Sequence, residues 1–190
     1  MNITKEKLLN IAFDEIYYNG YHATSIDKIL KKANASKSSM YYFFKSKKEL
    51  AKAIIEEKIS YYIEEKYAPL LNINENYIES ILEVIKNRKD FDFNCGCKLN
   101  NFVQELSYKD EDFKNALEKV YFRFENIFEQ VLDKAIENKE IIQTDTKSLS
   151  MFIVSSIEGA LLSAKKSQDE KFYNISISHL ENYLNSFKLK

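Results

Sequence analysis

The sequence is poor in the residues that build tight turns and disulfide scaffolds. Its 190 residues include one proline, three glycines and two cysteines. So little glycine and proline leaves few sites for β-hairpin turns, and no segment alternates polar and apolar residues long enough to predict a strand. Two cysteines cannot form the disulfide framework of a small secreted protein. These scarcities predict an all-α fold, and the cytoplasm is the expected location.

Long apolar runs are also missing. No stretch approaches the roughly 18 apolar residues that a membrane-spanning helix needs. The N-terminus lacks the apolar segment of an export signal. We therefore expect no membrane partner.

The usual signatures of catalysis and metal binding are absent. There is no nucleophile elbow, no Gly-rich phosphate loop and no H-E-x-x-H motif. The two histidines, His22 and His179, lie far apart in sequence, so the pair Cys95 and Cys97 has no histidine partner for zinc. We expect no enzyme activity, no metal site and no cofactor.

Residues 20–50 carry the most informative pattern, two short helices joined by a tight turn and followed by the start of a third. Thr24 or Ser25 is predicted to cap the first helix, and Asn34 to end it in a left-handed conformation. Ser46 and Glu49 form a capping box at the start of the third helix. The first helix has an apolar stripe at helical spacing: Ile26, Ile29, Leu30 and Ala33.

The second of these helices, beginning after Ser36, is short and has an unusual exposed face. Met40 and Phe44, four residues apart, are predicted to face the core. The opposite face then offers hydroxyl groups, an aromatic ring and a cation, which suit base edges and phosphates. Its members are Lys37, Ser38, Ser39 and Tyr42. The pattern predicts a helix that enters the major groove of DNA.

The charge distribution agrees with one nucleic-acid-binding end. Residues 1–47 carry eight lysines and four acidic residues, a balance of +4, whereas the whole chain has a net charge of −1. The remainder therefore carries −5. A basic end joined to an acidic body fits phosphate binding at that end only.

This segment resembles the DNA-binding signature of the TetR family of bacterial transcriptional regulators. The family pattern runs G-x-x-x-T/S-I-x-x-I, then A-x-x-S-x-x-S-hydrophobic-Y-x-x-F, then S-K-x-x-L. Two positions depart from it, because Asn34 and Ser38 stand where the family often has glycine. The matching residues are Gly20, Ser25, Ile26, Ile29, Ala33, Ser36, Ser39, Met40, Tyr41, Phe44, Ser46, Lys47 and Leu50.

The resemblance implies two domains with about nine helices in all. Residues 1–47 would form a three-helix, helix-turn-helix DNA-binding domain, and residues 48–190 a larger helical domain for ligand binding and dimerisation. The partners would be a double-stranded DNA operator, a small-molecule inducer and a second copy of the chain. The predicted DNA contacts are Thr24, Ser25, Lys37, Ser38, Ser39, Tyr41, Tyr42 and Lys47.

The last two predicted helices present an apolar stripe wider than one neighbouring helix requires. Small residues along it would let another helix approach closely, so a four-helix interface between two subunits is one interpretation. An ordinary core within one chain is the other, and the resemblance favours the dimer. The predicted interface residues are Phe152, Ser156, Ala160, Leu161, Ala164, Leu180, Tyr183 and Leu184.

The region from about 67 to 142 is rich in aromatic residues, most of which are expected to form core. The resemblance nevertheless implies a ligand cavity among these helices. Arg123 could hold an anionic group there if its side chain points inward. The candidate pocket residues are Cys97, Asn101, Phe102, Gln104, Tyr121, Arg123 and Phe124.

Cys97 leaves an alternative open. The stretch GCKLNNFVQELS resembles one in a branch of the TetR family, and a thiol near a helix N-terminus is favoured as the thiolate. We expect a homodimeric repressor released from an inverted repeat by a small molecule. The alternatives are a redox-sensing or electrophile-sensing repressor acting through Cys97, with a small buried thiol as the simpler role for that residue, and, more distantly, a helical interaction adaptor that does not bind DNA.

Overall fold

The computed structural model describes residues 4–89 and 91–189. These residues form helices and connecting turns, and the β structure among them is limited to one antiparallel bridge between Ile141 and Lys188. The helices are α1 (Lys5–Asn19), α2 (Ile26–Ala33), α3 (Lys37–Phe43), α4 (Lys47–Ala53), α5 (Ser60–Tyr67), α6 (Tyr77–Lys86), α7 (Lys98–Leu106), α8 (Glu111–Glu137), α9 (Thr146–Ser167) and α10 (Lys171–Asn185).

A π-helical segment, Ile54–Ile59, joins α4 to α5, and a 3₁₀ turn, Ala68–Asn72, follows α5. When α4, the π-helical segment and α5 are counted as one continuous helix, the described part of the chain has nine helices. The all-α prediction is confirmed. The wider π turn of this segment is a geometry that occurs mostly as short insertions in α-helices. None of the described helices combines the length and the apolar character needed to cross a membrane.

The chain divides into two compact units. The first contains the described parts of Met1–Tyr62 and Lys98–Val120, and the second those of Ile63–Cys97 and Tyr121–Lys190. The first unit therefore includes more than the predicted DNA-binding domain, because α7 and the start of α8 join α1–α4. The boundary between residues 47 and 48 stays a prediction.

Hydroxyl caps set the helix starts of the first unit. Ser25, Ser36 and Ser46 each accept a hydrogen bond from a backbone N–H three residues on, satisfying a donor that the first helical turn leaves open. Asn34 ends α2 in the left-handed region, as predicted. Of the apolar stripe of α2, Ile29, Leu30 and Ala33 are buried with the inward residues of α1, α3 and α4, and Ile26 is half-buried. This core includes Leu8, Ala12, Ile29, Leu30, Met40, Phe44 and Leu50.

In the second unit α9 and α10 pack side by side, and α6 packs against α10. Aromatic rings fill part of its core: the ring centroid of Tyr67 lies 4.5 Å from that of Phe124 and 5.5 Å from that of Phe128. Glu140 fastens the start of α6, since its carboxylate accepts from the backbone N–H groups of Tyr77 and Ile78 at 2.8 Å each.

Candidate DNA-binding surface and ligand domain

Helix α3 has one buried face and one exposed face, as the sequence predicted. Met40 and Phe44 are buried, whereas Lys37 and Ser38 are exposed. Tyr42 is 83% exposed, so its ring and hydroxyl project into solvent from a helix of only seven residues. An exposed tyrosine contributes little to the core and is available to a partner.

Three serine hydroxyls cluster at the start of α3. The Oγ of Ser36 lies 2.8 Å from that of Ser38 and 2.9 Å from that of Ser39, and it also accepts from the backbone N–H of Ser39 at 3.1 Å. A hydroxyl has one donor and two acceptor positions. Ser38 and Ser39 can therefore keep these contacts and still bond to a base edge or a phosphate.

Acidic residues neutralise part of the positive charge at this end of the chain. The ammonium group of Lys37 lies 3.0 Å from a carboxylate oxygen of Asp27, and both side chains are exposed. Buried Glu15 pairs with Lys28 at 3.1 Å and with Lys32. The hydrogen bond from Lys32 is the main cause that lowers the pKa of Glu15, against an opposing effect of burial.

Lys45 is a candidate phosphate contact that the sequence analysis did not select. It follows α3 directly and is exposed. In the described part of the chain its ammonium group forms no ion pair, unlike that of Lys37. Its position in the sequence, between α3 and the cap residue Ser46, could have indicated a cation next to the DNA-binding helix.

Thr24 corrects one predicted DNA contact. Its side chain is fully buried, and its hydroxyl donates to the carbonyl oxygens of Glu15 and Gly20 at 3.0 and 2.8 Å. The side chain therefore fastens the turn after α1 and has no surface to offer a phosphate. Neighbouring Ser25 is exposed and caps α2, while Tyr41 is about half exposed.

Lys47 has a structural contact at the position predicted to bind phosphate. Its ammonium group donates to the carbonyl oxygen of Tyr21 and lies 4.2 Å from the centre of that ring. Burial lowers its pKa. Because an ammonium group has three donors, Lys47 can keep this bond and still reach a phosphate.

Helix α7 is bonded to the turn between α1 and α2. The carboxylate of Glu105 accepts from the backbone N–H groups of Tyr21 and His22, each at 2.7 Å. Gly20, with φ +85°, lies beside it, and a Cβ at this position would come within 3.3 Å of the carboxylate. The start of α8 is joined to α4 as well, since Lys48 lies 2.7 Å from carboxylate oxygens of both Asp110 and Asp112.

Among the candidate pocket residues of the second unit, Cys97 and Phe124 are buried. The Sγ of Cys97 donates to Oε1 of the buried Glu158 at 3.1 Å. Burial raises the pKa of the Tyr121 hydroxyl, and the charge of Glu158 adds to this rise. Cys97 and Tyr121 thus both lie near the carboxylate of Glu158, a residue that was not among the predicted pocket residues.

Two candidate pocket residues do not point inward. Arg123 is 56% exposed and forms a surface ion pair with Glu64 at 3.1 Å, so the prediction that it holds an anion in a cavity is wrong. Gln104 is exposed and donates to Asn100 at 2.8 Å along the outer face of α7. In the first unit, Asn101 is half-buried and Phe102 is buried.

The buried arginine is Arg88, which the sequence analysis missed. Its Nε donates to the hydroxyl of Tyr173 at 2.7 Å, and its Nη2 to that of Tyr67 at 3.2 Å. The composition could have indicated it, because the chain has only two arginines among its 28 lysines and arginines. Arginine is the cation best suited to partly buried sites.

A groove of about 590 Å³ runs between α9 and α10. Of the predicted interface residues, Phe152 and Tyr183 are nearly half exposed there, and Ser156 lines the groove with the buried Ala160 and Leu180. Leu161, Ala164 and Leu184 do not line the groove and are buried within the chain, so the structure places these three predicted interface side chains in the core. The groove is lined by Phe152, Ser156, Gly159, Ala160, Ser163, Ser176, His179, Leu180 and Tyr183.

Known proteins identify the class to which this fold and exposed helix belong. Residues 8–54 match the model of the bacterial regulatory proteins of the tetR family, and residues 75–174 match the C-terminal domain of LmrA/YxaF-like transcriptional regulators. The chain belongs to the TetR family of transcriptional regulators.

Individual relatives agree over nearly the whole chain. An uncharacterised HTH-type transcriptional regulator encoded in the lacX 3′ region of Lactococcus lactis is 29% identical over 87% of this chain and 85% of its own. The regulator LmrA of Bacillus subtilis is 25% identical over 84% and 85%. A TetR-family regulator from Cytophaga hutchinsonii has the same fold, with a TM-score of 0.88 over 98% of this chain and 95% of its own at 18% identity.

Proposed function

We propose that this regulator is a homodimeric repressor that binds an inverted-repeat operator and leaves it when a small molecule binds the second unit. The observation that carries the DNA-binding role is the exposed face of α3. This seven-residue helix packs onto the core through Met40 and the following Phe44. Ser38 and Tyr42 remain exposed on its other face, where they can meet base edges.

The surrounding side chains supply contacts that do not depend on base sequence. Ser25, Tyr41, Lys37, Lys45 and Lys47 are the proposed phosphate contacts, because each has a hydroxyl or ammonium donor near α3. Ser38, Ser39 and Tyr42 are the proposed base contacts. Phosphate contacts position a protein on the duplex, whereas contacts with base edges select the sequence.

The groove between α9 and α10 is the proposed dimer interface. Two exposed aromatic rings, Phe152 and Tyr183, pack edge to face at 5.1 Å beside a floor of small residues. Exposed apolar surface of this kind is typical of protein interfaces. A two-fold dimer would place two α3 helices about one DNA turn apart, roughly 34–36 Å, on an inverted repeat.

Ligand control is supported by the contacts of α7. A ligand can release DNA only if it binds more tightly to the arrangement that does not fit the operator. The bonds of Glu105 to Tyr21 and His22 join α7 directly to the turn that precedes α2. A shift of α7 would therefore move the helix-turn-helix. A regulator of the same fold, FadR of Bacillus subtilis, has been solved in complex with stearoyl-CoA.

Sensing through Cys97 is not favoured. Its thiol is 8% exposed and donates to the carboxylate of Glu158, so little of it is accessible to a reagent. Burial and the neighbouring Asp92 raise the pKa of Cys95. A buried thiol in such surroundings reacts slowly with oxidants and electrophiles.

Operator selection with purified protein tests the proposal. Random DNA fragments are bound, recovered and sequenced, and the selected site is then used in gel shifts. We expect an inverted repeat that binds two chains. Recovery of no common sequence, or of a site without two-fold symmetry, would contradict the proposal.

A further inference from the structure

Arg88 is a buried cation held by neutral groups. Its side chain is 8% exposed and lies in the connection that follows α6. Two of its five N–H donors bond to the hydroxyls of Tyr173 and Tyr67, and its guanidinium carbon lies 5.0 Å from the ring centre of Tyr173 and 5.5 Å from that of Phe91. Tyrosine hydroxyls and ring faces stabilise the charge without neutralising it.

A second cation stands close to the first. Lys66, near the end of α5, is half-buried, and its ammonium group donates to the carbonyl oxygen of Asn87 at 2.7 Å. Burial, and then the charge of Arg88, lower the pKa of Lys66 to about 8. Each cation also bonds to the residue next to the other in sequence, Lys66 to Asn87 and Arg88 to Tyr67, so the two charges share one region of the second unit.

Among the described residues, no acidic side chain pairs with either cation. Within residues 4–89 and 91–189, no carboxylate lies within ion-pair distance of Arg88 or Lys66. Other cations of the second unit, including Arg123, Lys86 and Lys188, do pair with a carboxylate. Buried charges in proteins are normally paired, because an unpaired one is costly to remove from water. The two cations therefore form a site that an anion from outside the chain would complete.

The surroundings indicate what such an anion is attached to. The rings of Phe91 and Phe93 lie 5.0 Å apart, and the ring of Phe93 lies 5.6 Å from that of Tyr173. These rings pack beside the guanidinium and offer apolar surface next to its charge. A free inorganic ion would use only the charge, whereas an anion with an aromatic or aliphatic body would use both.

We propose that Arg88 and Lys66 bind the carboxylate or phosphate group of the small molecule that regulates this protein, with the apolar body of that molecule against Phe91, Phe93 and Tyr173. The proposal deepens and rests on the proposed function as a ligand-controlled repressor. Arg88 would bond the anion through its remaining donors, since a guanidinium can hold two oxygens at once.

Three probes that share one ring system test the charge requirement: 2-naphthoate, 2-naphthyl phosphate and neutral 2-naphthol. Their binding to the full-length chain without DNA is measured by calorimetry and by the shift in unfolding temperature. We expect at least one of the two anions to bind about tenfold or more tightly than 2-naphthol. The stronger anion distinguishes a carboxylate from a phosphate ligand. Binding of neither anion, or equal binding of 2-naphthol, would overturn the proposal.

Variants then assign the site. Arg88→Met should weaken the better anion about tenfold or more and leave 2-naphthol unchanged, and Lys66→Gln should weaken it several-fold. Arg123→Met removes the other arginine, on the surface, and should change nothing. If Arg88→Met does not fold, Arg88→Lys and Lys66→Gln provide the same test. Unchanged anion binding in the folded variants would overturn the assignment. Gel shifts with the selected operator, made in parallel, test the repressor function separately.

Discussion

The carboxylate of Glu105 accepts the backbone N–H of Tyr21 at 2.7 Å, which joins α7 to the turn between α1 and α2. The same carboxylate accepts the N–H of His22, so one side chain satisfies two adjacent donors. Charge-assisted hydrogen bonds of this kind are stronger than neutral ones. The turn that sets the position of α2 is therefore fixed by a residue distant in sequence.

Replacing this carboxylate by an amide should loosen the turn. Glu105→Gln keeps the size but loses the charge and one acceptor, so we expect a loss of about 1–3 kcal/mol in the free energy of unfolding. Urea unfolding followed by circular dichroism measures it. The matched control is Glu111→Gln, an exposed residue on α8 that should change stability by less than about 0.5 kcal/mol. Equal stability of the two variants would show that the Glu105 bonds contribute little.

Removing Asp27 should strengthen binding to DNA of any sequence. Asp27 is exposed beside α3 and forms an ion pair with Lys37. Its carboxylate therefore repels phosphates and also competes with them for the ammonium group of Lys37. We expect Asp27→Asn to raise affinity about threefold to tenfold at low salt, with a steeper salt dependence. Fluorescence anisotropy at several salt concentrations measures both effects. The control Asp169→Asn, which also frees a lysine but on the second unit, should have no effect. Weaker binding by Asp27→Asn would mean that α3 does not face DNA.

Gly159 provides a clean test of the dimer interface. Its position on α9 is exposed, and a Cβ there would meet no atom within 4 Å. Gly159→Glu should therefore fold normally, and even gain helix propensity, but place a charge in the groove and give monomers. Light scattering distinguishes the two states. Ser178→Glu, exposed elsewhere on α10, should remain dimeric. A dimeric Gly159→Glu variant would move the interface away from this groove.

Neither cysteine should mediate release from DNA. Treatment of the protein–operator complex with N-ethylmaleimide is expected to leave the complex intact, because Cys97 is buried and bonded to Glu158. A gel shift before and after treatment measures this. Release in the wild type that disappears in Cys97→Ser would restore the electrophile-sensing alternative.

The lowered pKa of Lys66 predicts a pH-dependent effect on stability. Its folded-state pKa of about 8 lies below the ordinary value of 10.5, so folding disfavours the charged form. The destabilisation is complete below about pH 8 and disappears as pH rises towards 10.5. Lys66→Gln should therefore be more stable than the wild type at pH 7 and equally stable above pH 10.5. Urea unfolding across this range tests it, and a difference that does not change with pH would contradict it.

The helix-turn-helix was predictable because its signals are local. Capping serines, the left-handed Asn34 and the burial of Met40 depend on residues within a few positions of one another. Thr24 was assigned wrongly, since its hydroxyl bonds to Glu15, nine residues away, and spacing alone does not show which of two adjacent hydroxyl residues points inward.

The second unit was harder to predict because its site depends on long-range packing. Arg88 meets Tyr173, 85 residues later, and Arg123 meets Glu64, 59 residues earlier. Helical periodicity places both arginines on helices or at their ends without indicating which one turns inward. Likewise, Leu161 and Ala164 share the apolar stripe of α9 with the groove residues, and only the packing of α10 separates core from surface.

The exposed ring of Tyr42 offers the most direct test of the claim that α3 reads DNA. Affinity for the selected operator is measured by anisotropy for Tyr42→Ala and for Tyr108→Ala, an equally prominent exposed tyrosine on the turn after α7 that is 74% exposed. We predict that Tyr42→Ala loses about tenfold or more in specific affinity, the equivalent of one good base contact, and that Tyr108→Ala binds like the wild type. Equal affinity of both variants with the wild type would contradict the account.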